Sequence, residues 1–274
     1  MKIAIQGQQG SYHETAARNL YPECEMMYCQ TFDEVFQAVS AGQVAHGLVA
    51  IANNRYGFIP ESYALLMENA GKTVQITDEY TLSVQHMLLG IEGAGLSDIK
   101  EVYSQAPAIG QCRQYLQEHL PHAKIVETED TAQAAAIVAR KQDRYAAAIA
   151  SEQAGVENKL QILAKGIQDD ENNLTRFIVL EPASQQIMHP SSKISVLLAA
   201  RNETGSLADV LQIFKDLQIN LRLIHSSFVA NSDFVMKFWI EFDADWRQPK
   251  VQELYKQLKE QQVNIIELGK YRKR

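Results

Sequence analysis

The sequence predicts an α/β protein: two lobes of alternating strands and helices, followed by a smaller module with a different element order. Two observations carry this. From Met1 to about Leu180, short apolar runs alternate with amphipathic stretches, the pattern of a largely parallel sheet covered by helices. After "EPASQQIMHPSSK" (181–193), a Pro-, Ser- and Gln-rich linker, the order becomes β-α-β-β-α-β, the ferredoxin-like arrangement. The expected domains are 1–182, with lobes of about 1–77 plus 165–182 and 78–164, and 192–274.

The elements follow in order. "KIAIQG" reads as a strand and "HETAARNL" as a helix. "TFDEVFQAVSAG" is a helix with a capping box, Thr31 with Glu34, and Gly42 just past its end. "HGLVAIANN" is a buried strand. "PESYALLMENAG" begins on Pro60 and stops at Gly71, the asymmetry expected of a helix. "EYTLSVQHMLLG" reads as one long strand joining the lobes. Then come strand "IKEVYS", helix "PAIGQCRQYLQEHL", strand "AKIVET", helix "TAQAAAIVARK" and strand "RYAAAIAS". The strands near "LQILAKGI" and "TRFIVL" can return to the first lobe, and a cleft between lobes suits a small molecule. The last module reads "KISVLLAA", "GSLADVLQIFKDLQ", "INLRLIHSSFVA", "FVMKFWIEFDA", "QPKVQELYKQLKEQQ" and "VNIIELG". Asn231-Ser232-Asp233 turns between its middle strands.

Bulk properties narrow the function. A net charge of -7 argues against a general nucleic-acid binder, and the basic end from Lys270 to Arg274 reads as a solvated tail. Cys24, Cys29 and Cys112 make an odd count without a disulfide framework, so free thiols in a reducing cytoplasm are expected. No apolar stretch reaches the ~20 residues of a membrane span, and the N-terminus reads as a strand, not a signal peptide. A soluble cytoplasmic protein is the expectation.

Few motifs carry chemistry. "GQQGSY" sets Gly7 and Gly10 at a strand-to-helix turn where backbone N–H groups can meet an anion. On spacing alone, an ordinary tight turn is the simpler reading, and no nucleotide fingerprint or Walker lysine follows. His119 and His122 straddle Pro121, and Asp169-Asp170-Glu171 has no EF-hand spacing. No metal and no cofactor are predicted. That leaves Thr175-Arg176 in "DDENNLTRFIVL". Arg offers a planar fork for a carboxylate and Thr a single proton for a leaving oxygen. On a regular strand the two face opposite ways; the "DDENN" turn is expected to bring both to one cleft.

"IQDDENNLTRF" resembles the signature of prephenate dehydratases. "GQQGSY", "VAIANNRYG", "VYSQAPAIGQCRQYL" and "TEDTAQAA" resemble further segments of that family in the same order, and the C-terminal part resembles its ACT regulatory domain. The resemblance covers essentially the whole chain. It implies a two-lobed catalytic domain shaped like periplasmic solute-binding proteins, then a ferredoxin-like ACT domain. It also implies conversion of prephenate to phenylpyruvate, losing carbon dioxide and water with aromatisation as the driving force. Thr175 and Arg176 would be catalytic, the threonine aiding hydroxyl departure and the arginine clamping a carboxylate. Asn53, Ser104, Gln111, Phe177, Glu129 and Thr131 would bind substrate. In the ACT part, Gly205, Leu207, Asn220, Leu221, His225 and Ser226 would face an amino-acid effector.

The chain departs from the family at several points. Ala52 stands in place of a glutamate and Asn54 in place of a serine. Gln105-Ala106 replaces His-Pro, and His13 stands where the family bears a hydroxyl near the first helix. His225-Ser226-Ser227-Phe228 replaces Glu-Ser-Arg-Pro, which speaks against phenylalanine as the effector. Another effector, or an ACT domain serving as a subunit interface in a homodimer or homotetramer, stays open. So do arogenate as substrate, a prephenate decarboxylase, and a non-enzymatic prephenate or amino-acid sensor. Retention of Thr175 favours dehydration.

Overall fold

The computed structural model of the protein describes residues 1–183, 191–228 and 236–272. Most of the expected linker and the Asn231–Asp233 turn lie outside them. The chain begins β1 (Lys2–Gln6), α1 (Tyr12–Leu20), β2 (Glu25–Cys29), α2 (Phe32–Ser40), β3 (His46–Asn53), β4 (Gly57–Phe58), α3 (Pro60–Asn69). It continues β5 (Val74–Ser83), β6 (Met87–Gly90), β7 (Glu101–Ser104), α4 (Ala106–Gln111), α5 (Arg113–His119), β8 (Lys124–Glu127), α6 (Thr131–Lys141). Next come β9 (Ala146–Ala150), α7 (Glu152–Glu157), β10 (Gln161–Lys165) and β11 (Leu174–Pro182). The last elements are β12 (Lys193–Ala199), α8 (Ser206–Asp216), β13 (Leu221–Phe228), β14 (Met236–Phe242), α9 (Pro249–Glu260) and β15 (Asn264–Arg272).

These elements form two compact units: Met1–Val35 with Leu48–Ile59 and Thr81–Phe177, and Phe36–Gly47 with Pro60–Tyr80 and Ile178–Arg274. In the first unit, β1 pairs in parallel with β2 and neighbours β3. A second sheet runs β10-β6-β9-β7-β8. Its centre is β9, "AAAIA", buried at every residue. The small side chains let α6 pack on one face through Ala134, Ala135 and Val138, and α4–α5 on the other through Ala108, Cys112 and Leu116.

The parallel expectation holds for β7 with β8 and β9, whereas β6 runs antiparallel to both β9 and β10. β6 is entered directly from β5 without a helical crossover, so the βαβ rule does not set its direction. The "LQILAKGI" strand accordingly joins this second sheet. The long strand expected at "EYTLSVQHMLLG" is two strands, broken at Val84–His86. There, Val84 N–H donates to Asn173 O (2.8 Å), His86 N–H donates to Gln168 Oε1 (2.9 Å), and His86 O accepts from Ile167 N–H (3.0 Å).

The helix expected from Pro107 to Leu120 is likewise two, α4 and α5, meeting at Cys112. Asp169 holds the break: its N–H donates to Gln111 O (2.7 Å) and its carboxylate accepts from Gln114 N–H (3.0 Å). α2 carries the expected cap, with Glu34 N–H donating to Thr31 Oγ1 (3.2 Å), although the Glu34 carboxylate reaches Gln30 N–H (2.7 Å).

The second unit has the expected β-α-β-β-α-β order from β12 to β15, in a sheet ordered β13-β14-β12-β15. Alternate residues Ile194, Val196 and Leu198 of β12 face Val210 and Phe214 of α8 and Val251 and Leu254 of α9. On the far side of β15 lies β5, paired in parallel at Gly269–Ile76. A Cβ on Gly269 would sit 2.1 Å from the Ile76 carbonyl oxygen, so only glycine fits. Lys193, nearly buried, pairs with Glu79 at 2.7 Å.

Residues 270–272 are not the solvated basic tail expected, and 273–274 lie outside the described residues. β15 continues to Arg272, and Tyr271 is fully buried with its hydroxyl donating to Glu241 (2.9 Å). Alternation along the strand overrides the local charge: Lys270 turns away to pair with Glu267 (2.9 Å).

Candidate active site

The first unit holds a cavity of about 320 Å³. Three helix starts reach it: Ser11-Tyr12-His13 of α1, Gln105 and Pro107 of α4, and Asp130-Thr131 of α6. β3 contributes Ala50 and Asn53, and β11 contributes Thr175 and Phe177. Gln111, Asn173 and His86 complete its polar wall. No lysine or arginine is among the lining residues.

Local sequence fixes these helix starts. Gly10, at φ +85°, brings the chain against α7, where a Cβ would lie 2.7 Å from Ala154 Cα. Ser151 Oγ donates to the Gly10 carbonyl (2.7 Å). Ser11 then caps α1, its Oγ accepting from Glu14 N–H (3.2 Å) while the Glu14 carboxylate accepts from Gly10 N–H (2.7 Å). Asp130 caps α6, accepting from Gln133 N–H (2.7 Å) and Gln8 Nε2 (3.2 Å). The glycine turn is thus more than a reversal of direction: it aims the positive end of α1 into the cavity.

The polar wall is one connected chain of hydrogen bonds whose direction is set by the backbone. Asn53 Oδ1 accepts from the N–H groups of Arg55 (2.9 Å) and Tyr56 (3.3 Å). Its Nδ2 is therefore the donating end, to Thr175 Oγ1 (3.0 Å) and Asn173 Oδ1 (2.8 Å). Asn173 Nδ2 must then donate to Gln111 Oε1 (3.0 Å). That oxygen also accepts a short bond from His86 Nε2. His86 Nδ1 is left facing the Tyr12 hydroxyl (2.7 Å), which also lies 2.8 Å from the Gln85 carbonyl. With Oγ1 of Thr175 accepting from Asn53, the threonine's own proton is free to point into the cavity.

Burial sets the charge states. It lowers the His13 imidazole to about 4. It also lowers His86, partly offset by the bond to Gln111. Burial raises the Tyr12 phenol well above its usual value, with a smaller push from Cys112. The Cys112 thiol is pushed up to about 12 by burial and by nearby Asp169.

Of the residues singled out from sequence, Asn53, Gln111, Thr131, Thr175 and Phe177 lie together on the cavity wall. Three do not. Arg176 is absent from the lining, because β11 is a regular strand through the Thr-Arg-Phe triplet and alternation sends Thr175 and Phe177 one way and Arg176 the other. Ser104 is fully buried, its hydroxyl donating to Ile149 O (2.8 Å). Glu129 is exposed and lines a separate surface cleft with Tyr103 and Gln133. Sequence reading passed over Tyr12, His86, Asp130 and Asn173 as site residues. Three of them left a trace: a polar pair, Gln85-His86, interrupting an apolar run; a capping acid, Asp130, before an alanine helix; and an amide, Asn173, two residues before Thr175.

In the second unit, Gly205 caps α8 with φ +90° and Leu207 lies in that helix's first turn. Asn220 precedes β13 and Leu221 opens it; in that strand Ser226 is exposed and His225 packs edge-on against Tyr63 with ring centroids 4.6 Å apart.

Comparison with known proteins gives the chain's family. The chain is 34% identical over 287 residues to arogenate dehydratase/prephenate dehydratase 1, chloroplastic, of Arabidopsis thaliana, covering 99% of this chain and 72% of that protein. Among solved structures it resembles GqqA, described as a novel type of quorum quenching acylase (TM-score 0.89, 27% identity, 99% and 97% of the two chains). It also resembles the prephenate dehydratase of Staphylococcus aureus subsp. aureus Mu50 (TM-score 0.85, 25% identity, 99% and 100%). The prephenate dehydratase family model matches residues 3–185. The chain belongs to the prephenate dehydratase family.

Proposed function

We propose that this chain is a prephenate dehydratase, a carbon–oxygen lyase converting prephenate to phenylpyruvate, carbon dioxide and water. The observation that carries the reading is the Thr175 hydroxyl, held as an acceptor by Asn53 so that its proton is available to a departing oxygen. As the ring aromatises, the C–C bond to carboxylate breaks, its electrons enter the ring, and the C–O bond breaks with hydroxide leaving as water. One proton is taken up overall. Aromatisation supplies the driving force, so the chain needs only to hold the substrate and stabilise the leaving oxygen. Phe32 and Phe177 give an apolar wall for the ring. The helix starts of α1 and α6 supply backbone donors for the carboxylates, in a cavity with no lysine or arginine among its described lining residues.

A second reading comes from the likeness to the acylase structure. An acylase of the usual kind needs a hydroxyl activated by a base. In this cavity Thr175 Oγ1 is bound to Asn53 and Ser11 Oγ to Glu14 N–H; among the described residues neither meets a histidine. That favours the dehydratase.

The test is to incubate the protein with prephenate and identify the product by mass and ultraviolet spectrum. Phenylpyruvate is expected. A hydroxyl-retaining dihydro keto acid would make it a decarboxylase, and bound but unchanged prephenate a sensor. A parallel assay with arogenate measures substrate preference. We take 1–182 as the catalytic domain and 192–274 as an ACT domain that joins copies of the chain into a homodimer or homotetramer, which sedimentation would check. Three buried free cysteines support a cytoplasmic protein.

A further inference from the structure

The proposed substrate carries two carboxylates, yet among the described residues lining the cavity there is no lysine or arginine. Something neutral must meet that charge. His13 occupies the second position of α1, where the family resemblance leads one to expect a hydroxyl. Its ring is fixed between Phe32 (centroids 5.6 Å apart, tilted) and Phe177 (5.2 Å, edge-on). The backbone N–H of Ala50 points at Nε2 from 3.3 Å. A nitrogen that accepts an N–H cannot carry a hydrogen there, so the ring proton sits on Nδ1. Burial keeps the imidazole neutral down to about pH 4.

Other ionisable groups on the wall are engaged elsewhere: Tyr12 with His86, His86 with Gln111, and Asp130 with Gln8 and Gln133. Among the described residues, Nδ1 of His13 has no hydrogen-bond partner, and the residue lines the cavity.

We infer that His13 is a neutral receptor for a substrate carboxylate, its Nδ1–H donating to one carboxylate oxygen beside the first turn of α1. This rests on the dehydratase reading for the identity of the ligand. Tautomer and orientation are both fixed by Ala50, so the donor is already in place before substrate arrives. A neutral donor of this kind holds a carboxylate without depending on pH across the neutral range, unlike an imidazolium.

The test compares wild type, His13→Phe and His13→Asn in steady state with prephenate. His13→Phe keeps the aromatic packing and loses the donor. Its KM is expected to rise ~10-fold or more, the worth of one hydrogen bond to a charged group, with kcat changed much less. His13→Asn, which restores an N–H, is expected to recover part of the loss. Wild-type KM is expected to stay flat from about pH 5.5 to about pH 8. Nitrogen-15 NMR of histidine-labelled wild-type protein is expected to show His13 protonated on Nδ1 and bare on Nε2, with Nδ1 shifting on addition of prephenate.

A KM for His13→Phe within twofold of wild type, protonation on Nε2, or a KM falling tenfold per pH unit below neutrality would overturn the inference. If wild type does not consume prephenate, the dehydratase reading fails instead. The NMR titration still reports whether His13 meets the ligand.

Discussion

Thr175 has one proton to give and one lone-pair partner, Asn53, and that partner's orientation decides where the proton goes. Removing the hydroxyl should therefore strike turnover and leave binding nearly intact. Thr175→Ala is expected to lower kcat by ~10²–10³, the usual cost of one transition-state donor, while KM moves little. Thr175→Ser should keep much of the rate, and equal losses in both variants would point to a packing role for the threonine methyl. Arg55 and Tyr56 act on the same hydroxyl through their backbone N–H groups alone. Alanine at either position should be tolerated for turnover, and proline at 56 should not, because it deletes a bond that fixes Asn53. Cys112 gives a prediction of another kind. With its thiol pushed up to about 12, it should resist disulfide-exchange reagents in the native protein at about pH 8, and react once the chain is unfolded. Rapid native labelling at that position, read by mass spectrometry, would show that the helix break around it opens.

At the scale of elements, the sequence showed where helices start better than where strands stop. Caps and glycines are local: Thr31 and Gly10 are read within a few residues of where they act, and the caps Ser11 and Asp130, which are not, lie just as near the helices they start. The breaks at Val84–His86 and at Cys112 do not, because the groups that hold them, Gln168, Asn173 and Asp169, come from 55 residues or more further along the chain. Such partners have no periodicity to read. The same distance hid the polar wall, whose members Tyr12, His86 and Asn173 are neighbours only after folding. On β11 the expectation that the "DDENN" turn would bring Thr175 and Arg176 to one cleft gave way to plain strand alternation, which separates them. The pairing of β15 with β5 depends on the absence of a side chain at one residue. Gly269→Ala is expected to destabilise the protein by at least ~1–3 kcal/mol, as overpacking does, seen as a lower urea midpoint. An unchanged midpoint would mean the two strands can separate without cost.

For the molecule as a whole, half-buried His13 and buried His86 contribute to its response to acid. His13 and His86 are neutral when folded, and their folded-state pKa values lie below the unfolded one of 6.5. As pH falls below that value the unfolded chain takes up protons that the folded chain refuses, so stability declines until the folded His13 also titrates at about 4. His13 alone accounts for a loss of ~3 kcal/mol across that window. Urea unfolding at a series of pH values should show the decline in wild type and a shallower one in His13→Asn; parallel curves would mean the ring is solvated. The cation-free wall has a consequence for kinetics as well. A chain of net charge -7, with no lysine or arginine among the described residues lining its cavity, offers a doubly negative ligand only the short-range field of its helix starts and no long-range attraction. Encounter then runs against repulsion, so added salt should quicken capture of the substrate instead of slowing it, the reverse of what an arginine-lined mouth would do.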